Sequence, residues 1–137
     1  TTDIPKGISV LLEDPEKFTY YEKNGSLFGF PGLLADHFEL FRMNLTIRQA
    51  GLKIGEFKGR DFVPSPQIAL SNDIHPETPF MDVDEFLAMS FLRLEPFKAD
   101  LPPGWHLIRY KDQALGWVKS LGHRINNYYP KNWRVLN

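Results

Sequence analysis

Apolar and polar residues alternate in several short runs that are separated by Gly, Pro and Asn, a pattern typical of β-strands joined by tight turns. Asn-Gly in particular suits the positive φ angles of a hairpin turn. The pattern predicts three hairpins, with turns at Asn24-Gly25, Lys58-Gly59-Arg60 and Lys111-Asp112-Gln113, and further strands at residues 8–12, 40–48 and 125–129.

Helical spacing of apolar residues occurs in three places. Residues 33–41 carry one short apolar stripe, and residues 67–70 follow Ser65 as a plausible N-cap and Pro66 in the first turn. The clearest helix is predicted from residue 81 to residue 94, where Asp82 and Glu85 form a variant capping box and Pro96 ends the helix. Its predicted apolar face contains Val83, Phe86, Leu87, Ser90, Phe91 and Leu94.

Together these elements predict an α+β fold in two small domains. A length of 137 residues fits one domain or two small ones, and the polar, proline-containing residues 72–79 form the best internal linker. We therefore expect a β-rich domain over residues 1–75 and a second domain over residues 80–137. No apolar run reaches the length of about 20 residues that spans a bilayer, so we expect a cytoplasmic protein without membrane contact. Because the chain begins Thr1-Thr2, we also expect it to be part of a longer protein.

Charge is unevenly distributed along the chain. The formal net charge is −1, yet residues 105–137 contain six Lys/Arg and one acid, a formal +5 that an acidic remainder offsets. Six of the nineteen aromatic residues are interleaved with these cations. Unopposed cations among aromatic rings are what a protein needs to hold a phosphate backbone while bases stack on it. The alternative for Trp105 and Trp117 is that both pack in a hairpin core, because both have apolar neighbours.

The sequence offers no enzyme motif. Without cysteine there is no thiolate metal site and no cysteine nucleophile, and the four histidines are scattered without metal-ligand spacing. Asp82, Asp84 and Glu85 are explained by a helix N-terminus rather than by a carboxylate site. We therefore expect no catalytic residue, cofactor or metal in this chain.

Two segments resemble a known family. Leu-Gly-Trp-Val-Lys-Ser-Leu-Gly-His-Arg-Ile-Asn-Asn-Tyr-Tyr-Pro-Lys-Asn-Trp-Arg, residues 115–134, resembles the closing motif of the PUA-like domain in RsmF-type (Sun/Nop2-related) ribosomal RNA cytosine-5 methyltransferases. Residues 51–70 resemble the segment that precedes this domain in the same family. The matching positions are Leu115, Gly116, Trp117, Lys119, Gly122, Arg124, Asn127, Tyr129, Pro130, Lys131 and Arg134.

The resemblance implies a PUA-like β pseudobarrel with peripheral helices, preceded by a small β-rich linker domain. It also implies that the parent enzyme uses S-adenosylmethionine and catalytic cysteines in a domain that this sequence does not contain. The task of this chain would then be to grip ribosomal RNA, expected to be that of the small subunit, for the catalytic domain. Its partners would be that RNA and the catalytic domain.

The residues expected to contact RNA lie mostly near the C-terminus. Phosphate contacts are predicted for Arg109, Lys111, Lys119, Arg124, Lys131 and Arg134. Asn126 or Asn127 would bond to a base edge or a 2′-hydroxyl, and Tyr128 or Tyr129 would stack on an unpaired base while the other packs in the core. Lys58 and Arg60 form a second candidate contact at a hairpin tip. Two rival functions remain open, namely a protein-interaction module that docks the catalytic domain without touching RNA, and a small independent enzyme.

Overall fold

The Asn24-Gly25 dipeptide closes the first hairpin in the computed structural model, which describes residues 8, 11–31 and 52–136. Asn24 and Gly25 have φ angles of 53° and 82°, so both adopt the left-handed conformation that this turn requires. The predicted helix at 33–41 and strand at 40–48 lie outside the described residues, as does part of 8–12. Leu12, the last residue of the segment 8–12, forms an isolated antiparallel bridge with Ile74.

The chain divides into two compact units, Thr1–Pro76 and Glu77–Asn137, and each contains a four-stranded sheet. In the first unit the strands pair in chain order and are all antiparallel. They are β1 (Phe18–Lys23), β2 (Ser26–Pro31), β3 (Leu52–Lys58) and β4 (Asp61–Pro64). The hairpins predicted at Asn24-Gly25 and at Lys58-Gly59-Arg60 are thereby confirmed.

A short helix, α1 (Pro66–Ala69), packs on this first sheet. The Ser65 hydroxyl accepts a hydrogen bond from the Ile68 backbone N–H at 3.0 Å, which confirms the predicted N-cap. The same hydroxyl donates to the Lys53 carbonyl in β3, so one side chain ties the helix start to the sheet. Ile54 and Ile68 are fully buried there.

The second unit contains a mixed sheet in which the first two strands are parallel and the other pairs are antiparallel. The strands are β5 (Phe80–Asp82), β6 (Gly104–Tyr110), β7 (Gln113–Ser120) and β8 (Ile125–Asn127). The predicted third hairpin and final strand are confirmed with ends shifted by one or two residues. A short 3₁₀ turn, Lys131–Trp133, follows β8.

The helix of the second unit begins later than its sequence pattern predicts. It is α2 (Glu85–Leu92), and its N-cap is Asp84, whose carboxylate accepts from the Leu87 N–H at 2.9 Å. Asp82 lies in strand β5 and is not part of a capping box. The capping prediction was therefore wrong, because residues 80–82 instead pair with a strand that lies much later in the chain.

The buried face of α2 also differs from the predicted one. Ala88 and Phe91 are buried against Ile108 and Val118 of the sheet, whereas the Phe86 side chain is 77% exposed. At about 100° per residue, Phe86 lies roughly 200° around the helix from Ala88, on the solvent side. Taken together, strands in two sheets with few helices confirm the α+β class. Among the described residues no helix has the length and apolar character of a membrane span.

Candidate nucleic-acid interface

Three side chains form a row across the second sheet. Trp105 in β6 is in register with Lys119 in β7, and Lys119 is in register with Asn126 in β8. Residues that are directly opposite on neighbouring strands project from the same face of a sheet. The Lys119 ammonium lies 5.4 Å from the centre of the Trp105 ring, within cation–π range.

Tyr128 completes this group, which we call the Trp105 site: Trp105, Lys119, Asn126 and Tyr128. The Tyr128 ring meets the Trp105 ring edge-on, with centroids 4.6 Å apart. Trp105 in turn meets Trp117 edge-on at 6.4 Å. Trp117 is 1% exposed and Tyr128 is 37% exposed, so the aromatic chain runs from the core to the surface. Trp117 is thus a core residue, as the alternative interpretation held, while Trp105 is only partly buried.

Arg124 lies close to this site along the chain. The loop between β7 and β8 is closed by a hydrogen bond from the Leu121 N–H to the Arg124 carbonyl, and Gly122 adopts φ 90° there. This tight turn leaves Arg124 exposed immediately before β8, two residues from Asn126. None of the ion pairs among the described residues involves Lys119 or Arg124. The β7–β8 end of the sheet therefore carries two cations without a paired acid.

Arg109 and Lys111 lie at the opposite end of the same hairpin. The Arg109 guanidinium stacks 3.6 Å from the centre of the Phe80 ring, and its Nε and Nη2 atoms lie 3.2 Å and 3.5 Å from carboxylate oxygens of Asp82 and Asp112. Lys111 sits in the turn, 5.3 Å from the Tyr110 ring centre. With about 3.3 Å per strand residue, this end is roughly 20 Å from Lys119. Arg109 is thus occupied in holding β5 against β6.

The two adjacent pairs, Asn126-Asn127 and Tyr128-Tyr129, divide between surface and interior. Asn127 donates from Nδ2 to the Phe91 carbonyl at 3.0 Å and accepts at Oδ1 from the Tyr129 N–H at 2.8 Å. The Tyr129 ring packs against Phe91 with centroids 5.3 Å apart. Asn127 and Tyr129 therefore fasten the end of β8 to α2, whereas Asn126 and Tyr128 lie at the Trp105 site.

Lys131 and Arg134 occupy a third location, beside the C-terminal end of α2. The Val135 N–H donates to the Leu92 carbonyl at 3.0 Å, which holds the last residues against the helix. Arg134 lines an open depression of about 350 Å³ that it shares with Arg93, Glu95, Val135 and Leu136. Both cations are exposed, but they are separate from the Trp105 site in the fold.

Lys58 and Arg60 belong to the first unit. They flank Gly59, which has φ 62°, at the tip of the β3–β4 hairpin, and both are exposed. Of the twelve predicted contact residues, the ten in the second unit thus lie in four places rather than in one patch. Trp105, for which a core position was the alternative interpretation, is only partly buried and belongs to the Trp105 site. Strand alternation alone does not indicate this, because Trp105 shares a parity with the cation Arg109 and also with the buried Leu107.

Metal binding finds no support in the part of the chain that the structure describes. No group of three or more His, Asp or Glu side chains comes together there.

A mixed sheet backed by one helix, with cations and aromatic rings at its strand ends, defines a small β domain of the PUA-like class. Residues 78–135 match the family described as the methyltransferase RsmF PUA domain. This match confirms the resemblance seen in residues 115–134 and supports a PUA-like region of an RsmF-type methyltransferase. The family suggests an RNA-binding role. No curated protein matches the chain. The match does not include residues 51–70, whose resemblance stays a prediction.

Proposed function

We propose that this chain is the RNA-binding region of a ribosomal RNA cytosine-5 methyltransferase that acts in the cytoplasm. Its second unit would hold small-subunit ribosomal RNA while a separate catalytic domain of the same protein modifies a cytosine. The family match supports the class of parent enzyme. The observation that carries the RNA contact is the pair of acid-free cations, Lys119 and Arg124, beside exposed aromatic rings at one end of the sheet.

The methylation chemistry is assigned to the catalytic domain and not to this chain. A cytosine-5 methyltransferase of this type uses a cysteine to attack the base, and the chain contains no cysteine. S-adenosylmethionine would likewise be held by the catalytic domain, because the match to the methyltransferase family covers a PUA domain and not a catalytic one. We derive no catalytic step from the residues of this chain.

Ion pairing within the described residues guides which of the predicted cations we include in the proposed RNA contact. Lys119 and Arg124 have no acidic partner among the described ion pairs, so their charge is available to phosphates. Arg109 is paired with Asp82 and Asp112, and the Asp112 side chain is 93% exposed beside Lys111. A phosphate placed at that end would meet two carboxylates, so Arg109 and Lys111 are left out of the proposed contact.

Fluorescence anisotropy with a labelled small-subunit ribosomal RNA hairpin tests this proposal. The double variant K119Q/R124Q is expected to weaken binding by about 10-fold or more, because each phosphate contact contributes through released counterions. K111Q removes one charge from the other end of the same hairpin and serves as the matched control, with binding expected within about twofold of wild type. Circular dichroism confirms that each variant is folded. Equal binding by wild type and K119Q/R124Q would refute the assignment.

A second candidate function is docking of the catalytic domain, and the exposed Phe86 on α2 favours it. The Phe86 side chain is 77% exposed, so its ring is accessible for apolar contact with a partner. F86A is expected to leave RNA binding by this chain unchanged and to weaken its association with the separately produced catalytic domain. If F86A leaves that association unchanged as well, docking through α2 is ruled out.

A further inference from the structure

We propose that the Trp105 site binds one unpaired nucleotide of a single-stranded RNA segment. The base stacks on Tyr128, its hydrogen-bonding edge meets the Asn126 amide, and its phosphate lies at Lys119 with the next phosphate toward Arg124. This inference rests on the RNA-binding function proposed above and names the kind of RNA that the same site accepts.

The aromatic chain from Trp117 to Tyr128 provides a fixed stacking platform. Trp117 is buried, Trp105 is held edge-on against it at 6.4 Å, and Tyr128 is held edge-on against Trp105 at 4.6 Å. The Tyr128 backbone N–H also donates to the Trp117 carbonyl at 3.0 Å, which fixes the start of this side chain. A ring that is already positioned loses little conformational freedom when a base stacks on it.

An unpaired base is the ligand that such a platform accepts. In a duplex each base is covered above and below by its neighbours, so its face is not available to a protein ring. In loops and single strands the face is free, and base–aromatic stacking is the usual source of affinity. The 37% exposure of Tyr128 is enough to present part of its ring to such a base.

Lys119 and Asn126 supply the two polar contacts that a nucleotide needs. They are directly opposite each other on β7 and β8, and Lys119 also lies against the Trp105 ring. The Asn126 side chain makes no hydrogen bond within the described part of the chain, in contrast to Asn127. A free amide has both a donor and an acceptor, which matches the Watson–Crick edge of a base that is not paired.

Charge sets the direction in which the RNA leaves the site. Asp82 and Asp112 lie at the far end of the β6–β7 hairpin, and both are exposed. They would repel a phosphate backbone that ran along the hairpin toward Lys111. Arg124 lies on the other side, two residues before Asn126, so the segment continues past the β7–β8 loop.

Two RNAs with the same number of phosphates distinguish this inference from RNA binding in general. One is a hairpin with an eight-nucleotide unpaired loop, and the other is a blunt, fully paired duplex. Wild type is expected to bind the hairpin about 10-fold more tightly. Y128L removes the ring but keeps an apolar side chain, and it is expected to lose about 10-fold on the hairpin and less than twofold on the duplex. Y128F keeps the ring and should stay within twofold of wild type on both.

The possible outcomes separate the two proposals. Equal wild-type affinity for both RNAs, with no effect of Y128L on either, would overturn the unpaired-nucleotide site while leaving the RNA-binding function intact. Absence of binding to both RNAs would overturn the RNA-binding function itself. An equal loss on both RNAs in Y128L would also overturn the inference, because it would show that the ring contributes to the fold rather than to stacking.

Tryptophan fluorescence gives a second readout that does not depend on the Tyr128 variant. In W133F the remaining tryptophans are Trp105 at the site and Trp117 in the core. Titration of W133F with the looped RNA is expected to quench its fluorescence, and the paired duplex is expected to leave it unchanged. The quench should disappear in W105F/W133F. Quenching of the same size by both RNAs would count against an unpaired nucleotide at this site.

Discussion

Asn127 is held in the interior of the second unit by two hydrogen bonds, one to the Phe91 carbonyl and one from the Tyr129 N–H. N127A removes both and leaves the Tyr129 N–H without its partner, while the Phe91 carbonyl keeps the Leu94 N–H, so the free energy of unfolding should fall by about 1–3 kcal/mol. N126A removes an amide from the surface site, so stability should change by less than about 0.5 kcal/mol while RNA affinity falls. Urea denaturation and RNA anisotropy on both variants measure this contrast.

The opposite behaviour of the two variants would contradict this assignment. If N126A destabilised the protein and N127A weakened RNA binding without destabilising it, the division of this pair between surface and interior would be wrong. N127D is a useful control, because it keeps the acceptor for the Tyr129 N–H and loses the donor to Phe91.

The charge of Arg109 stabilises the folded second unit. Its guanidinium stacks on Phe80 and pairs with Asp82 and Asp112. R109Q should lower the free energy of unfolding by about 1 kcal/mol, the usual scale of a partly exposed cation–π contact with ion pairs. RNA affinity, measured well below the unfolding temperature, should stay within twofold of wild type. A tenfold loss of affinity in a stable R109Q protein would show that the RNA reaches this end of the hairpin.

How far the site could be predicted differs from residue to residue. Alternation in an extended segment correctly indicates that Tyr128 and Tyr129 face opposite ways. It does not indicate which of them faces the core, because that depends on where α2 packs, and Phe91 is 38 residues earlier. For the same reason Lys119 and Arg109 look alike in sequence, although Asp82, which pairs with Arg109, is 27 residues earlier in the chain.

At the scale of elements, the β3–β4 hairpin depends on the missing side chain of Gly55. A Cβ atom added there would lie about 2.5 Å from the Val63 carbonyl oxygen and against the Phe62 ring, so the backbone of β4 would have to move. G55A is expected to cost about 1–3 kcal/mol of stability. G59N is the matched control, since open space surrounds Gly59 and asparagine tolerates its φ of 62°. Thermal unfolding followed by circular dichroism compares the two, and a neutral G55A would contradict this packing.

The first unit should also lose stability at high pH through Tyr20, which joins β1 to the turn before it. Its hydroxyl donates to the Pro15 carbonyl, and burial raises its pKa to about 12. The folded state therefore keeps the proton at a pH where the unfolded state, with a pKa near 10, has lost it. The free energy of unfolding should be constant below about pH 10 and fall by about 1.4 kcal/mol per pH unit between 10 and 12.

Urea denaturation between pH 8 and pH 12 measures this slope, and Y20F is the control that removes it. A smaller loss should remain in Y20F, because the hydrogen bond from Lys17 to Asp73 raises the pKa of Lys17, and that contribution is lost in the same direction. If wild type and Y20F have the same pH dependence, the burial of the Tyr20 hydroxyl is not what sets it.

Local turn chemistry explains which elements the sequence predicts well. Asn24-Gly25 specifies its hairpin because few other dipeptides adopt two positive φ angles cheaply. The N-cap of α2 was predicted two residues too early, at Asp82 instead of Asp84, because both aspartates are acceptable N-caps. The choice is made by the parallel pairing of β5 with β6, a contact between residues 27 apart that no local pattern records.

At the scale of the whole molecule, folding separates charges that are adjacent in the sequence. The formal +5 of residues 105–137 reads as one basic segment. The β6–β7 hairpin reverses the chain, however, so Lys111 and Lys119 lie at opposite ends of one strand pair, and the last residues turn away to α2. The RNA contact is therefore expected to involve far fewer cations than the composition suggests.

The salt dependence of RNA binding measures how many of those cations contact phosphates. For single-stranded RNA, the logarithm of the binding constant falls by about 0.7 per tenfold rise in salt for each neutralised phosphate. Contact through Lys119 and Arg124 alone predicts a slope of about −1.4, and adding Lys131 and Arg134 predicts about −2.8. Use of all six cations of residues 105–137 predicts about −4. We expect a slope between the first two values for the looped RNA.

Charge-removal variants then show which cations contribute to the slope of the binding constant against salt concentration. K119Q should make it shallower by about 0.7, and K111Q should leave it unchanged. A slope near −4 that both variants reduce equally would mean that RNA binds the C-terminal segment as one continuous basic surface, and the Trp105 site would lose its special role. A slope near −1.4 that K119Q halves would mean that a local pair of cations beside an aromatic platform carries the contact, in a protein whose net charge of −1 gives it no general attraction for RNA.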